Sequence, residues 1–394
     1  MHIVIKIFLV AFFFEIILIF LVYNFKKDFK WILNSKDENP NFEKNKLKNF
    51  FRNSFDPILG WDRKKNTNGS EFSNSKTFFK ISNFGSRGKL KFKTSKIAVF
   101  GDSFAFCRYV NDEETWEANI EKKIKSNVLN FGVGNYGLDQ SFLKYLKIRK
   151  KIKSKIIIFN VTPETIARIN SYWKHYREFG NLMAFKPFYV LKNGKLILNK
   201  IFLKKNHSEK QIYKQINKIK KIDIFYEKKF KKHKFIFPYS LCFLKNLKFY
   251  SAIFSLLFIY KIFSNKEYLN LAISKVYSKN IKEAHNMYKE LKYIKKLYAL
   301  ILFMDKEIRK DNKKMILIIS PQILDFQGKT FNYYCDFYKL LSKKIYCINL
   351  TNYFKKKNLR NLFLKDVYGG HLNKLGNIKK SKLILNYLKI NKII

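Results

Sequence analysis

The stretch Val99-Phe100-Gly101-Asp102-Ser103-Phe104 decides how the chain folds. The apolar run from Lys96 to Phe100 leads into a glycine turn and a polar pair, which is the pattern of a buried strand followed by a helix. Ser103 would begin that helix, where its hydroxyl is exposed and its backbone N–H can stabilise an oxyanion. An ordinary Asp or Ser helix cap explains the same pattern, so the tripeptide alone does not identify a nucleophile.

Further apolar runs alternate with longer, helix-compatible stretches on both sides of this motif. The five predicted strands are residues 96–100, 128–133, 155–161, 315–320 and 345–350. Such alternation is typical of an α/β fold with a doubly wound, parallel five-stranded sheet. In such a sheet the ligand crevice lies beyond the carboxyl ends of the strands, so chemically active residues are expected directly after strands.

Two more polar motifs follow predicted strands. Residues 130–140 read NFGVGNYGLDQ, and small residues there let backbone N–H groups approach an anion closely. The motif is not GxGxxG followed by an acidic ribose ligand, so we predict no dinucleotide and no other cofactor. Residues 366–373 read DVYGGHLN, and a histidine near a carboxylate is what a serine needs to act as a nucleophile. Taken alone, His371 could equally be a loop histidine without a role.

Taken together, the three motifs resemble the SGNH or GDSL hydrolase superfamily, over about residues 94–180 and 312–385. The resemblance implies a flavodoxin-like sheet that carries a Ser-His-Asp triad. Ser103 would be the nucleophile, His371 the general base and Asp366 the carboxylate that orients the imidazole. The family usually places two residues between Asp and His, whereas four separate them here, so the extra residues must loop out for contact.

The resemblance also implies a set of oxyanion donors. These are the backbone N–H of Ser103, donors at Gly134 and Asn135 in the glycine-rich loop, and a polar side chain after the third strand. The usual GxND sequence is absent from that last position, which leaves Asn160 or Thr162 as the third donor, or no donor at all. Loss of one donor typically costs about 10²-fold or more in rate.

Residues 165–178, TIARINSYWKHYRE, are dense in aromatic and cationic side chains. We predict Arg168, His175 and Arg177 as substrate-binding residues, since such groups stack on sugar rings and bind anions. A packed amphipathic helix with a charged outer face explains the same stretch equally well.

The N-terminus carries a long apolar segment. Residues 7–23 read IFLVAFFFEIILIFLVY, with Glu15 as the single charge, and no small-residue cleavage site follows. We therefore predict an uncleaved, single-pass anchor in the cell membrane. Lys26, Lys27 and Lys30 favour a cytoplasmic body by the positive-inside rule, whereas the resemblance to enzymes of surface polysaccharides favours an extracytoplasmic one. The side of the membrane stays open.

We predict five segments along the chain. They are an anchor and flank (1–30), a polar stalk and entry lobe (31–95), the first part of the core (96–180), a mostly helical insertion (181–311) and the second part of the core (312–394). Within the insertion, residues 249–260 read FYSAIFSLLFIY. This run is too short to span a bilayer but suits a buried or interfacial helix.

The composition excludes several classes of protein. The formal net charge is +51, but only nine of the 80 basic residues are arginine and the lysines are spread along the chain, so no nucleic-acid partner is predicted. Four scattered cysteines and six histidines show no zinc spacing, so no metal site or disulfide framework is predicted.

The sequence therefore favours a membrane-anchored serine esterase or O-acyltransferase of the SGNH type. Its predicted substrate is an ester-linked acyl group, expected to be acetyl, on a small molecule or a cell-surface polysaccharide. The alternative is a catalytically inactive scaffold that uses the same fold to bind glycan or an assembly partner.

Overall fold

The computed structural model describes residues 2–26, 40–73, 75–178, 180–205, 207–232, 235–328, 330–355 and 361–394. They belong to two compact units. The first comprises Met1–Phe50, Ser171–Phe185 and Leu203–Val276, and the second comprises Phe51–Asn170, Lys186–Phe202 and Tyr277–Ile394. The chain passes several times between the units, so their limits do not coincide with the five predicted segments. Residues 27–39, in the predicted flank and stalk, lie outside the described residues.

The strands lie in the second unit. They are β1 (Phe55–Asp56), β2 (Gly60–Trp61), β3 (Thr67–Phe72), β4 (Lys76–Ile81), β5 (Ser95–Gly101), β6 (Asn127–Asn130), β7 (Ile156–Val161), β8 (Phe188–Lys192), β9 (Lys195–Asn199), β10 (Lys314–Ile319) and β11 (Tyr346–Asn349). β5, β6, β7, β10 and β11 form one parallel sheet, while β1–β2, β3–β4 and β8–β9 are antiparallel pairs.

The helices are distributed over both units. They are α1 (His2–Phe25), α2 (Lys44–Asn53), α3 (Ser103–Phe106), α4 (Trp116–Ile124), α5 (Leu138–Ile148), α6 (Thr165–Arg168), α7 (Lys174–Arg177), α8 (Glu209–Lys220), α9 (Tyr239–Lys245), α10 (Leu247–Phe263), α11 (Lys266–Met287), α12 (Leu291–Lys310), α13 (Phe331–Leu341), α14 (Thr351–Lys355) and α15 (Lys374–Ile390). The predicted insertion contains α8 to α10 of the first unit, but also β8, β9 and α12 of the second.

The five strands predicted from apolar runs are all present. Their ends agree within one residue except at β6, which ends at Asn130 rather than at residue 133. The interiors of the sheet strands are mostly apolar on both faces because helices cover both sides of the sheet. Ile97 and Val99 pack on the side of α4 and α15, whereas Phe100 and Phe159 of the opposite face pack with Phe142 of α5.

The strand order in the sheet is β11-β10-β7-β5-β6. Numbered within the sheet alone, this is the order 2-1-3-4-5 of flavodoxin-type doubly wound folds, read from the other edge. The order reverses between β5 and β7, which pair directly from Ile97 with Ile156 to Gly101 with Asn160. Ligands in such folds bind outside the carboxyl ends of the strands at this switch point. Ser103 follows β5 there.

The first unit contains α1, which is long and apolar enough to cross a membrane. Leu18, Val22 and Phe25 on one side of α1 are buried in a cluster with side chains of α9 and α10. Most of the remaining α1 side chains are large, apolar and exposed.

Candidate active site

The turn after β5 places Ser103 at the first residue of α3. Asp102 is the helix N-cap, and its Oδ1 accepts the Phe104 N–H at 2.9 Å. Gly101 is needed where the turn touches the neighbouring strand, because a Cβ there would lie 1.8 Å from the carbonyl oxygen of Asn160. The sequence VFGDSF therefore folds as a strand, a glycine contact and a capped helix, and this presents the Ser103 hydroxyl.

Ser103, His371 and Asp366 form a continuous hydrogen-bonded relay. His371 Nε2 lies 2.9 Å from Ser103 Oγ, and His371 Nδ1 lies 2.9 Å from Asp366 Oδ2. The serine and histidine side chains are buried, although 268 residues separate them in the chain. This is the geometry in which an imidazole can take the hydroxyl proton while a carboxylate fixes the imidazole tautomer.

The four residues between Asp366 and His371 form a tight turn. Asp366 Oδ1 accepts the Tyr368 N–H at 2.8 Å, and Asp366 Oδ2 also accepts the His371 N–H at 2.6 Å. Gly369 and Gly370 have φ values of +108° and +79°, which L side chains rarely adopt. The paired glycines thus let the chain loop out and return His371 to the carboxylate.

The electrostatics of this turn favour an ionised Asp366. Burial alone raises the pKa of Asp366, but the charge and hydrogen bonds of His371, together with the N–H of Tyr368, lower it more, so the net pKa lies below the usual value. The carboxylate is therefore negative at neutral pH and can stabilise an imidazolium.

Two aromatic rings hold the imidazole in place. Phe104 stacks on His371 with ring centroids 4.8 Å apart, and Tyr109 meets it edge-on at 5.5 Å. Phe104 is the residue directly after the serine, so the same short helix carries the hydroxyl and one wall of the histidine pocket. Sequence reasoning missed both rings, since nothing in the local pattern links either of them to residue 371.

The glycine-rich loop runs beside the end of β5. Val133 N–H donates to the Gly101 carbonyl at 3.0 Å, which brings the loop to the turn that precedes Ser103. Gly134 follows, and its carbonyl accepts the indole N–H of Trp61 at 3.2 Å. Asn135 is exposed and adopts φ of +69°, a left-handed conformation that asparagine tolerates better than most residues.

Asn160 and Thr162 lie at the carboxyl end of β7. Asn160 Oδ1 accepts from Ser320 Oγ at 2.6 Å and from Lys380 Nζ at 3.0 Å. These two bonds fix the orientation of the Asn160 amide, with its oxygen toward the two donors. Asn160 Nδ2 and Thr162 Oγ1 are buried and have no hydrogen-bond partner among the described residues. A buried donor left unpaired costs about 1–3 kcal/mol. A substrate oxygen that accepted from one of them would relieve that cost.

Arg168 has internal partners. Its guanidinium is buried and donates to Asp102 Oδ2 at 2.9 Å, to Glu164 Oε2 at 2.8 Å and to the Tyr136 carbonyl at 3.2 Å. Asp102 Oδ2 also accepts the N–H of Thr162 at 3.0 Å. Arg168 thus fixes Asp102, the N-cap of α3, which we call the serine helix because it begins at Ser103. Its aromatic sequence context did not indicate this role.

His175 and Arg177 belong to the first unit, whereas Ser103 belongs to the second. Both side chains are buried. His175 Nδ1 accepts the Gly180 N–H at 3.0 Å, and Arg177 forms an ion pair with Glu178. Their role in substrate binding stays a prediction.

A buried group of ionisable side chains lies behind the serine helix. Lys380 donates to the Phe104 carbonyl at 3.2 Å, and the Cys107 thiol lies 3.2 Å from a carboxyl oxygen of Glu117. Burial raises the pKa of Glu117 to about 8 and lowers the pKa of Lys380 to about 8. Sequence reasoning missed Lys380, because no local signal separates it from its neighbours Lys379 and Lys382.

We expect Glu117→Gln to stabilise the protein increasingly as pH rises. The folded state keeps a proton on Glu117 that the unfolded chain releases above its ordinary pKa. The contribution of Glu117 to wild-type stability is therefore fully present at low pH and decreases as pH rises to about 8. Between pH 5 and 8 the difference in free energy of unfolding between variant and wild type should grow by about 3 to 4 kcal/mol. Urea unfolding at both pH values measures it. The exposed Glu113→Gln is the control, and a pH-independent difference for Glu117→Gln would contradict the expectation.

No protein-family model matches the sequence, and none of the curated proteins matches it. Among solved structures, a protein from Desulfitobacterium hafniense DCB-2 that is assigned to the G-D-S-L family of lipolytic proteins is similar over 75% of this chain and all of its own. The two are 12% identical, with a TM-score of 0.33. At those values the likeness carries no functional argument.

Among the described residues, no group of three or more His, Cys, Asp or Glu side chains could hold a metal ion.

Proposed function

We propose that this protein is a membrane-anchored SGNH-type serine esterase or O-acyltransferase. The observation that carries the proposal is the relay in which His371 Nε2 lies 2.9 Å from Ser103 Oγ and His371 Nδ1 lies 2.9 Å from Asp366 Oδ2. This relay occurs at the switch point of a doubly wound sheet, where such folds bind their ligands.

In the proposed reaction Ser103 Oγ attacks the carbonyl carbon of an ester while its proton passes to His371 Nε2. The tetrahedral intermediate then collapses, the ester C–O bond breaks, and the imidazolium returns its proton to the departing alcohol. The acyl group is left on Ser103. Water or a sugar hydroxyl, deprotonated by His371, resolves the acyl-enzyme and regenerates the serine. Asp366, whose lowered pKa keeps it ionised, stabilises the imidazolium in both halves of the reaction.

The negative oxygen of the intermediate needs hydrogen-bond donors. The candidates are the backbone N–H of Ser103, the loop at Gly134 and Asn135, and the unpaired Thr162 Oγ1 or Asn160 Nδ2. The two unpaired groups support a donor at the carboxyl end of β7, because a developing negative charge gives an otherwise unsatisfied donor its partner. We propose acetyl esters of a cell-surface polysaccharide as the substrate and α1 as the single membrane span, with the second unit outside the cytoplasm.

The proposal is tested by hydrolysis of p-nitrophenyl acetate with the full-length protein in detergent. We expect saturable release of p-nitrophenol, and faster release when a saccharide acceptor accelerates resolution of the acyl-enzyme if the protein is a transferase. The absence of both hydrolysis and covalent acylation would contradict the proposal and favour the catalytically inactive scaffold.

A further inference from the structure

The helix α10 in the first unit is apolar over most of its surface, including four of its seven exposed positions. Its inward face consists of Tyr250, Ile253, Phe254 and Leu257, which follow helical spacing and are buried. Its exposed apolar residues are Leu247, Phe258, Ile262 and Phe263, and its exposed polar residues are Lys248, Ser255 and Lys261. Lys248 and Lys261 are the only charged residues in its sequence. Several large apolar side chains at the exposed positions of one helix are typical of a surface that contacts lipid or a partner.

Another helix of the same unit, α8, has the amphipathic pattern expected of a helix with one face in the protein and the other in water. In α8, Ile212, Ile216 and Ile219 are buried at helical spacing. The other positions of α8 are almost all Lys, Gln, Asn or Glu. The apolar outer surface of α10 is therefore a feature of that helix and not of the lysine-, isoleucine- and phenylalanine-rich composition of the chain.

The helix α9 also exposes large apolar side chains. It meets α10 at Asn246 with a bend of 112°, and the two helices together are as apolar as a membrane span. Leu241 and Leu244 of α9 are exposed at i, i+3 spacing and so share one face. We define the α9–α10 surface as Leu241, Leu244, Leu247, Phe258, Ile262 and Phe263, all of which are exposed.

Contacts within the unit join α9 and α10 to α1. Phe14 of α1 meets Phe243 of α9 with ring centroids 5.5 Å apart, and Phe25 of α1 meets Phe254 of α10 at 6.3 Å. The helix α1 therefore packs directly against α9 and α10, and all three helices carry exposed apolar side chains.

The charge in α1 supports the same association. Glu15 is the only acidic residue in α1, and its carboxylate accepts the backbone N–H groups of Tyr239 and Ser240, the latter at 2.8 Å. These are the first N–H groups of α9, which have no partner inside their own helix. A carboxylate in an apolar helix is tolerated in lipid only when it is partnered, and α9 supplies the partner.

From these contacts we infer that the α9–α10 surface lies in the same lipid bilayer as α1, so that the first unit is held in the membrane by three helices. This inference rests on the membrane-anchored form of the proposed function. The occupant of the surface is lipid because α9 and α10 pack against α1, the helix that is long and apolar enough to cross the bilayer. The exposed Lys245 and Lys248 beside the bend have stems long enough to carry their ammonium groups to anionic headgroups.

The test uses single cysteines that carry an environment-sensitive fluorophore. Leu244→Cys and Phe258→Cys report on the α9–α10 surface, Ile17→Cys on α1, and Leu340→Cys on the second unit; the four native side chains are 58%, 53%, 55% and 64% exposed. Cys242 and Cys335 are partly exposed and are replaced by serine so that they do not react with the fluorophore. Cys107 and Cys347 are buried and are kept. The full-length protein is reconstituted in phosphatidylcholine–phosphatidylglycerol vesicles, with doxyl-labelled lipid or aqueous iodide as the quencher.

We expect lipid quenching at residues 244 and 258 within about twofold of that at residue 17, and strong iodide quenching at residue 340 alone. Iodide quenching at 244 and 258 together with lipid quenching at 17 would overturn the inference and leave the single-span anchor intact. Iodide quenching at 17 as well would overturn both the anchor and the inference. Neither result bears on the esterase chemistry, which is tested at Ser103.

Discussion

Replacing Ser103 with alanine is expected to lower kcat for p-nitrophenyl acetate hydrolysis by about 10⁴-fold or more. The variant loses the attacking oxygen, whereas the oxyanion donors and the binding surface remain. His371→Ala should cause a loss of similar size, because the hydroxyl then has no acceptor 2.9 Å away for its proton. The measurement is steady-state hydrolysis by full-length wild type and both variants.

The double variant Ser103→Ala/His371→Ala separates a relay from two independent effects. Groups that act as one unit are strongly non-additive, so the double variant should be no slower than either single variant within about threefold. Ser342→Ala, an exposed serine of the second unit, is the control and should keep wild-type activity. Full activity in Ser103→Ala, or multiplicative losses in the double variant, would contradict the proposed mechanism.

Gly101→Ala is expected to prevent stable folding of the second unit. The added Cβ would lie 1.8 Å from the Asn160 carbonyl oxygen and 2.8 Å from the Cβ of Ala105, and neither the paired strand nor the serine helix can move without disturbing the sheet. We expect a loss of about 4 kcal/mol or more in the free energy of unfolding. The loss would be measured by urea unfolding, or by soluble yield if no folded protein is recovered.

The matched control is Gly134→Ala in the loop after β6. A Cβ at Gly134 would have no atom within 4 Å, so this variant should stay within about 0.5 kcal/mol of the wild type. Equal stability of the two variants would show that the close approach of β5 and β7 at Gly101 is not required.

Features that depend on local pattern were predictable from the sequence. Buried parallel strands need apolar residues on both faces, so a run such as Ile156 to Val161 can be recognised as a strand without knowing which strands lie beside it in the sheet. Because the carboxyl ends of parallel strands meet at one edge of a sheet, the sequence predicted that Ser103 and the loop of residues 366–373 lie near each other. The paired glycines before His371 explain why the unusual spacing still allows contact with Asp366.

Features that depend on long-range contact were not predictable. Lys380 lies on α15 and is buried against Asn160 and the serine helix, yet its sequence neighbours are also lysines and carry no distinguishing signal. Arg168 was predicted to bind substrate from its aromatic sequence context, and that role stays a prediction; its hydrogen bond to Asp102, 66 residues away, could not be predicted from that context. The limits of the two units differ from the predicted segments because hairpin β8–β9 and α12, which lie within the predicted insertion, pack with the sheet unit.

The central claim, that the His371 relay activates the Ser103 hydroxyl, is tested most directly by mapping a fluorophosphonate adduct. Full-length protein is treated with the probe, digested and examined by mass spectrometry. We predict one adduct per chain, on the peptide that contains Ser103, with none in Ser103→Ala and markedly slower formation in His371→Ala. An adduct on another residue, or no adduct in a folded wild type, would contradict the claim.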